Sequence, residues 1–336
     1  MIALIILFNT ALAGGVIMGL ADFFSSDDPE PTQDDADKLL SETDLAALQA
    51  DFLDDLDATT SELDIQDGLL PPEVTIDGEI DGTPQDDSIR LSDDVYLAFA
   101  EAGDDVIVGS EQDNVLFGGQ GEDALFGEGG WDQLFGESGD DTLVGGSGDD
   151  DLILQAGSDL AFGQAGDDYF ADDGNIADQT GLVDIMSGGS GDDFFAVTQG
   201  VNLVEMGEGA DVAYVVPASQ AEENTALVIT DFNPQEDALV LGVNGDQNNF
   251  EDGARLEEIM YSATLIQTAL GPATLVQPTA TAGSVAGSLN GLYGAVAVLQ
   301  GITPQDLETA TVQAFLVNQD DAGSLALSQY TQTLQS

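Results

Sequence analysis

The stretch "GGQGEDALF" (Gly118–Phe126) decides the fold, because the three nine-residue stretches that follow repeat its plan. They are "GEGGWDQLF" (127–135), "GESGDDTLV" (136–144) and "GGSGDDDLI" (145–153). Each has glycine at positions one and four, aspartate at six and an aliphatic residue at eight. One register runs from Gly82 to Ala171. Position six reads Asp87, Tyr96, Asp105, Asn114, Asp123, Asp132, Asp141, Asp150, Asp159 and Asp168. Position eight reads Ile89, Ala98, Ile107, Leu116, Leu125, Leu134, Leu143, Leu152, Ala161 and Phe170. Position four is glycine in seven of the eight units that start at Ala100, Gln112 being the exception. A seven-residue break, Asp172–Asp178, interrupts the pattern. It resumes most clearly in "GGSGDDFFA" (Gly188–Ala196), with Asp193 at position six, and fades through Asn202 and Asp211.

Nine residues are too few to fold alone. Positions seven to nine suffice for a very short strand, whose middle side chain, at eight, points to one side. The six residues before it reverse the chain, and glycine permits the positive φ that a tight reversal needs. Two units then make one coil, and stacked coils give two parallel sheets around a thin aliphatic column. Position nine points outward. Phe117 and Phe135 are expected to stack outside one sheet, and Phe126 and Phe162 outside the other, as a packing ladder or a partner surface. Trp131, at position five, falls in an exposed turn.

Charge makes such a segment hard to fold. The chain carries 65 Asp and Glu against three basic residues, Lys38, Arg90 and Arg255, for a net charge of −62. That balance repels nucleic acid and anionic lipid and leaves cations as the natural ligands. Residues 100–171 hold eighteen acids and no base. Coils stacked about 4.8 Å apart bring Asp105, Asp123, Asp141 and Asp159 together along one edge. Asn114, Asp132, Asp150 and Asp168 line the other. Hard carboxylate oxygens and the carbonyls of glycine turns suit Ca²⁺, whereas Mg²⁺ demands an octahedron and keeps its waters. With no Cys and no His, disulfides, structural zinc and Ser-His or Cys-His catalysis are excluded.

These units resemble the G-G-x-G-x-D-x-U-x calcium repeat of RTX (haemolysin-type) proteins. The resemblance covers residues 82–214 and implies a parallel β-roll with calcium between its turns, each ion shared by a repeat and the next but one. It implies aspartates and backbone carbonyls as ligands, and so points to Asp87, Asp105, Asn114, Asp123, Asp132, Asp141, Asp150, Asp159, Asp168 and Asp193. Asn114 in place of Asp, Gln112 in place of Gly, and Tyr96 without a carboxylate depart from the pattern.

The flanks read differently. Ile2–Leu20 is uncharged and, at 1.5 Å per residue, long enough to span a bilayer as a hydrophobic helix. The alternative is a cleaved signal peptide with Ala11-Leu12-Ala13 as its small-residue site. Residues 1–21 are therefore expected to be an anchor or signal. Residues 22–75 are an acidic linker in which "SETDLAALQADFLDDL" (41–56) aligns Leu45, Leu48, Phe52 and Leu56 on one helical face, as a docking helix. Residues 76–214 form the roll. Residues 215–336, with apolar runs around the Asn233-Pro234 turn, form a β-rich cap of the kind that follows many RTX arrays.

The fold class is thus all-β: a parallel β-roll with a β-rich C-terminal cap and an N-terminal hydrophobic helix. The favoured function is a non-enzymatic calcium-binding protein, exported to the cell surface or exterior and folded by Ca²⁺. In the anchor case residues 2–20 also hold it to a membrane. An adhesin or carbohydrate-binding module, with a cell-surface glycan or protein as partner, is the second reading. A secreted hydrolase carrying an RTX module is the third, although neither H-E-x-x-H nor G-x-S-x-G occurs.

Overall fold

In the computed structural model each nonapeptide becomes one strand and one turn. The structure describes residues 74–75, 79–172, 183–198, 200–215, 226–244, 259–268, 271–280, 293–294 and 296–317. Val115–Gln120, Ala124–Gly129, Gln133–Ser138 and Thr142–Ser147 each run from position seven of one unit to position three of the next. These strands are longer than the three residues expected from the sequence, and only positions four to six reverse the chain. The cause lies at position two. Glu128, Glu137 and Gly146 have φ of 75°, 71° and 119° there. A left-handed residue bends the strand without ending its ladder, so Glu128 still pairs with Gly146 and Gly119 with Glu137.

Successive strands alternate between two sheets. The first holds, in order, Leu97–Glu101, Val115–Gln120, Gln133–Ser138, Asp151–Leu154 and Tyr169–Asp172. The second holds Ser88–Arg90, Val106–Ser110, Ala124–Gly129, Thr142–Ser147, Leu160–Ala165 and Val183–Ser190. Neighbours are parallel and one coil apart, Leu116 opposite Leu134 and Leu125 opposite Leu143. The break after Asp172 lengthens one coil without shifting the register, since Leu160 pairs with Ile185. The stack then continues through Phe194–Val197, Val201–Glu208, Val212–Val215, Ala226–Ile229 and Ala238–Asn244. Val296–Gln300 adds in parallel to the second sheet, and the antiparallel hairpin Ile259–Thr268 and Gly271–Ala280 closes that end. Thr311–Val317 adds in parallel to the first sheet.

Among the described residues there is no α-helix, only a 3₁₀ turn at Asp306–Glu308. None of their helices is long and apolar enough to cross a membrane. Ile2–Leu20 and the stripe Leu45–Leu56 lie outside the described residues.

The core is the position-eight column seen from both sides. Leu116, Leu134, Leu152 and Phe170 face Ile107, Leu125, Leu143 and Ala161, all fully buried. Farther along, Phe170 and Phe195 stack with ring centroids 4.7 Å apart. Outside the first sheet, Phe117 stacks on Phe99 at 4.7 Å and on Phe135 at 4.6 Å. The expected partner ladder, Phe126 on Phe162, does not form as one step, because Val144 lies between them in the register.

Position four is held by sterics. In the column Gly103, Gly121, Gly139, Gly157 each turn sits on the carbonyl of the turn before it, and a Cβ on Gly139 would overlap the Gly121 oxygen. Gln112 is tolerated because it stands near the start of its column. The crowding falls on the next glycine, where a Cβ on Gly130 would lie 2.7 Å from the Gln112 carbonyl carbon.

Gly139→Ala combines left-handed strain with this overlap, so it should destabilise the protein by about 3 kcal/mol. Gly301→Ala shares the positive φ but has nothing within 4 Å, and should cost about 1 kcal/mol. Thermal unfolding of both variants checks the order. Equal losses would remove the stacked-turn explanation.

Candidate metal centre

Each position-six aspartate ends a three-residue turn and immediately precedes the next strand, which tucks its carboxyl under the edge of the roll. Oδ1 accepts the backbone N–H of the position-six residue one coil earlier. Asp105 donates to Asp123 at 2.8 Å, Asp123 to Asp141 at 2.9 Å and Asp141 to Asp159 at 2.9 Å. On the other edge Asn114 donates to Asp132 at 2.7 Å, Asp132 to Asp150 at 2.8 Å and Asp150 to Asp168 at 2.8 Å. Two columns result, as the stacking argument predicts.

Their second oxygens have no such partner. Oδ2 of Asp105, Asp123, Asp132, Asp141, Asp150, Asp159, Asp168, Asp193 and Asp211 is buried without a hydrogen bond. Buried polar atoms are normally paired. A lone orphan would be an oddity; nine in register are a design. Each regular cradle lies over the position-one glycine. A Cβ placed on Gly118 would sit 2.6 Å from Asp123 Oδ2 and 2.9 Å from the Gly136 carbonyl oxygen. Gly127, Gly163 and Gly188 repeat this with Asp132 and Gly145, Asp168 and Gly188, and Asp193 and Met206. A carboxylate oxygen and a carbonyl oxygen from the next coil thus converge where no side chain enters. All-oxygen, mixed donors of this kind suit Ca²⁺. Among the described residues no three acidic side chains gather into an all-carboxylate site, so backbone carbonyls must complete any coordination.

Electrostatics say the same. Arg90, the one basic residue among the described residues, is exposed. Burial, opposed by the backbone hydrogen bond from Asn114, pushes the Asp132 carboxyl up to about 8. Burial pushes Asp168 up to about 8, and burial with the neighbouring Asp159 charge pushes Asp141 up to about 9. The strongest crowding lies at the long coil. There Asp172 takes position one, opposite Leu154, where regular coils carry glycine. Its carboxylate accepts from Asn202 Nδ2 at 3.0 Å. Burial first, then the charges of Asp172 and Asp159, raise Asp184 well above the ordinary carboxylate range.

Of the ten residues singled out in the sequence, Asp105, Asp123, Asp132, Asp141, Asp150, Asp159, Asp168 and Asp193 present an orphan oxygen. Asp87 and Asn114 start the columns and turn an oxygen onto a backbone N–H of their own turn, from Thr83 and Ser110 at 2.5 and 2.6 Å. Asp184, Asn202, Asp211 and Asp237 continue the columns beyond the ten, each accepting the position-six N–H of the coil before. Asp184 is hidden in the sequence because the lengthened coil displaces it and "LVDIM" carries no glycine. A second ladder runs through position five. Asp104 accepts from Glu122 N–H at 3.1 Å and Asp149 from Asp167 N–H at 3.0 Å, in the reverse direction. The Asp-Asp doublets are its signature in the sequence.

A family model for the RTX calcium-binding nonapeptide repeat matches this chain in four copies, at residues 99–134, 126–161, 144–171 and 180–213. No curated protein matches the chain. The stretch 99–213 therefore carries RTX calcium-binding nonapeptide repeats, and the aspartate columns lie within it.

The pKa directions give a test. The carboxyls of Asp105, Asp123, Asp132 and Asp141 are shifted upward, so without metal the folded chain binds more protons than the unfolded chain above about pH 4. That stabilisation is fully present in acid and is lost as the pH rises through about 6 to 9. Metal-stripped protein should gain β circular dichroism when acidified from pH 8 to 5, protons standing in for the cation. A spectrum indifferent to pH would contradict the buried-carboxylate account.

Proposed function

We propose that this is a non-enzymatic calcium-binding protein acting at or beyond the cell surface, where the ion it meets completes its fold. The observation that carries the reading is the pair of buried aspartate columns with orphan oxygens, with no basic side chain among the described residues to neutralise them. Extracellular calcium-binding modules bind the ion at about 10⁻⁴–10⁻³ M, far above cytosolic free calcium. Made inside a cell, such a segment stays short of its counter-ion; once exported it folds. The acidic tract after Leu20 suits a translocated side, since nothing in it is basic enough to be retained. Residues 2–20 then serve as an anchor or as a removed signal.

Two features support the absence of catalysis. The sequence holds neither His nor Cys, and the interior of the roll is filled by aliphatic and aromatic columns. The adhesin reading has its own support in the half-buried ladder Phe99, Phe117 and Phe135 beside the exposed Tyr96 and Trp131. Stacked rings flanked by acids form a surface for a glycan or protein partner. It shares the calcium-folded roll and differs only in what the outer face touches.

Calcium added to the metal-stripped full chain at neutral pH should restore the β spectrum with a midpoint on the order of 10⁻⁴–10⁻³ M. Magnesium at equal concentration should substitute poorly. A β spectrum that survives chelation would refute ion-driven folding, and protection of the repeats from protease in intact cells would overturn the external placement.

A further inference from the structure

The two ends of the roll are finished differently. At the N-terminal end the first sheet stops at the two-residue strand Val74–Thr75, beside Glu79–Thr83 with its Glu79 and Asp81. The second sheet stops there at Ser88–Arg90, three residues long and ending on an exposed cation. Short, charged edges resist pairing with another chain. At the other end the second sheet stops at Ile259–Thr268, ten residues long. That strand pairs along its whole length with Gly271–Ala280, and among the described residues no strand lies on its outer side. Neither charge nor proline blunts it. Thr264, Leu265 and Gln267 are exposed, Leu265 to 56 %.

The neutrality extends beyond one strand. Residues 259–305 hold no Asp, Glu, Lys or Arg, in a chain of which 20 % is charged. Thr311–Val317, laid on Ala238–Asn244 in the first sheet, holds none either. An edge strand presents its row of N–H and C=O groups to an extended partner, and charge says whose. A net charge of −62 opposes contact between copies wherever acids would face acids. At the neutral end two copies meet without that repulsion. Antiparallel pairing of one strand with itself about a two-fold axis is self-complementary. It continues the second sheet from one molecule into the next and points the two acidic stacks in opposite directions. Three strand spacings, roughly 14 Å, separate the edge from Ala226–Ile229, the last strand of the stack in that sheet. The screening length at physiological ionic strength is about 8 Å, so the columns of the two copies barely sense each other.

We propose that the occupant of this edge is a second copy of the chain, Ile259–Thr268 of each pairing antiparallel with the other, so that two rolls join end to end through their caps. The proposal does not depend on which ion fills the columns.

The test weighs the full chain with calcium by light scattering and sedimentation equilibrium. The expected mass is twice 34.8 kDa. Thr264→Asp with Leu265→Asp should halve it while the calcium-induced β spectrum persists. The chain has no cysteine, so a single Thr264→Cys, near the middle of the strand, reports pairing directly. Mild oxidation should link it into a covalent dimer, and Arg90→Cys, on the opposite end of the roll, should stay unlinked. A wild-type mass of one chain, a dimer that survives the double substitution, or Arg90→Cys linking as readily as Thr264→Cys would each overturn the proposal. If the double variant loses the β spectrum, the wild-type mass and the two cysteine variants still decide. Loss of that spectrum reports on folding, whereas a folded chain of single mass reports on pairing.

Discussion

A carboxylate buried next to another carboxylate, with no base beside it among the described residues, is the constraint on which this structure depends. The roll places one such group in most of its turns. Each accepts a backbone N–H of the coil before it through Oδ1 and leaves Oδ2 without a hydrogen bond. The glycines follow from this. At position one they leave the cradle open; at position four they let turns stack at the spacing that brings successive carboxylates into line. The aliphatic column contributes only two side chains per coil, so in the proposed reading an ion in the cradles would be as much a part of the interior as the leucines are.

The direction of the Oδ1 bonds adds a mechanical point. Because each aspartate reaches back one coil while its cradle takes a carbonyl from the coil ahead, a site involves neighbours on both sides. Position five runs the opposite way, reaching forward. Adjacent turns are thus cross-tied in both senses. Loss of one carboxylate is therefore expected to disturb its neighbours as well.

Much of this was legible in the sequence because the period is strict. Position eight gave the core from Ile107 to Phe170, and position six gave the columns from Asp105 to Asp168. What escaped did so for identifiable reasons. Strand length was underestimated because a left-handed Glu128 or Glu137 is not recognisable from residue type, and the ladder bends there instead of breaking. Asp184 escaped because a lengthened coil moves it out of phase without any glycine to mark it. Asp87 and Asn114 look like the other position-six residues, but at a column end each is satisfied within its own turn. The pairing of Phe126 with Phe162 failed for a simpler reason, that Val144 intervenes. The burial of Phe126 and Phe162 themselves is a tertiary fact that no nine-residue pattern contains.

The most direct measurement is a crystal structure of the calcium-soaked protein with anomalous scattering. The account predicts a cation in the cradles over Gly118, Gly127, Gly136 and Gly145, each bound by the orphan Oδ2 of Asp123, Asp132, Asp141 or Asp150 and by carbonyl oxygens of adjacent coils. Cradles holding only water, with those carboxyls protonated and the roll still folded at neutral pH, would contradict it.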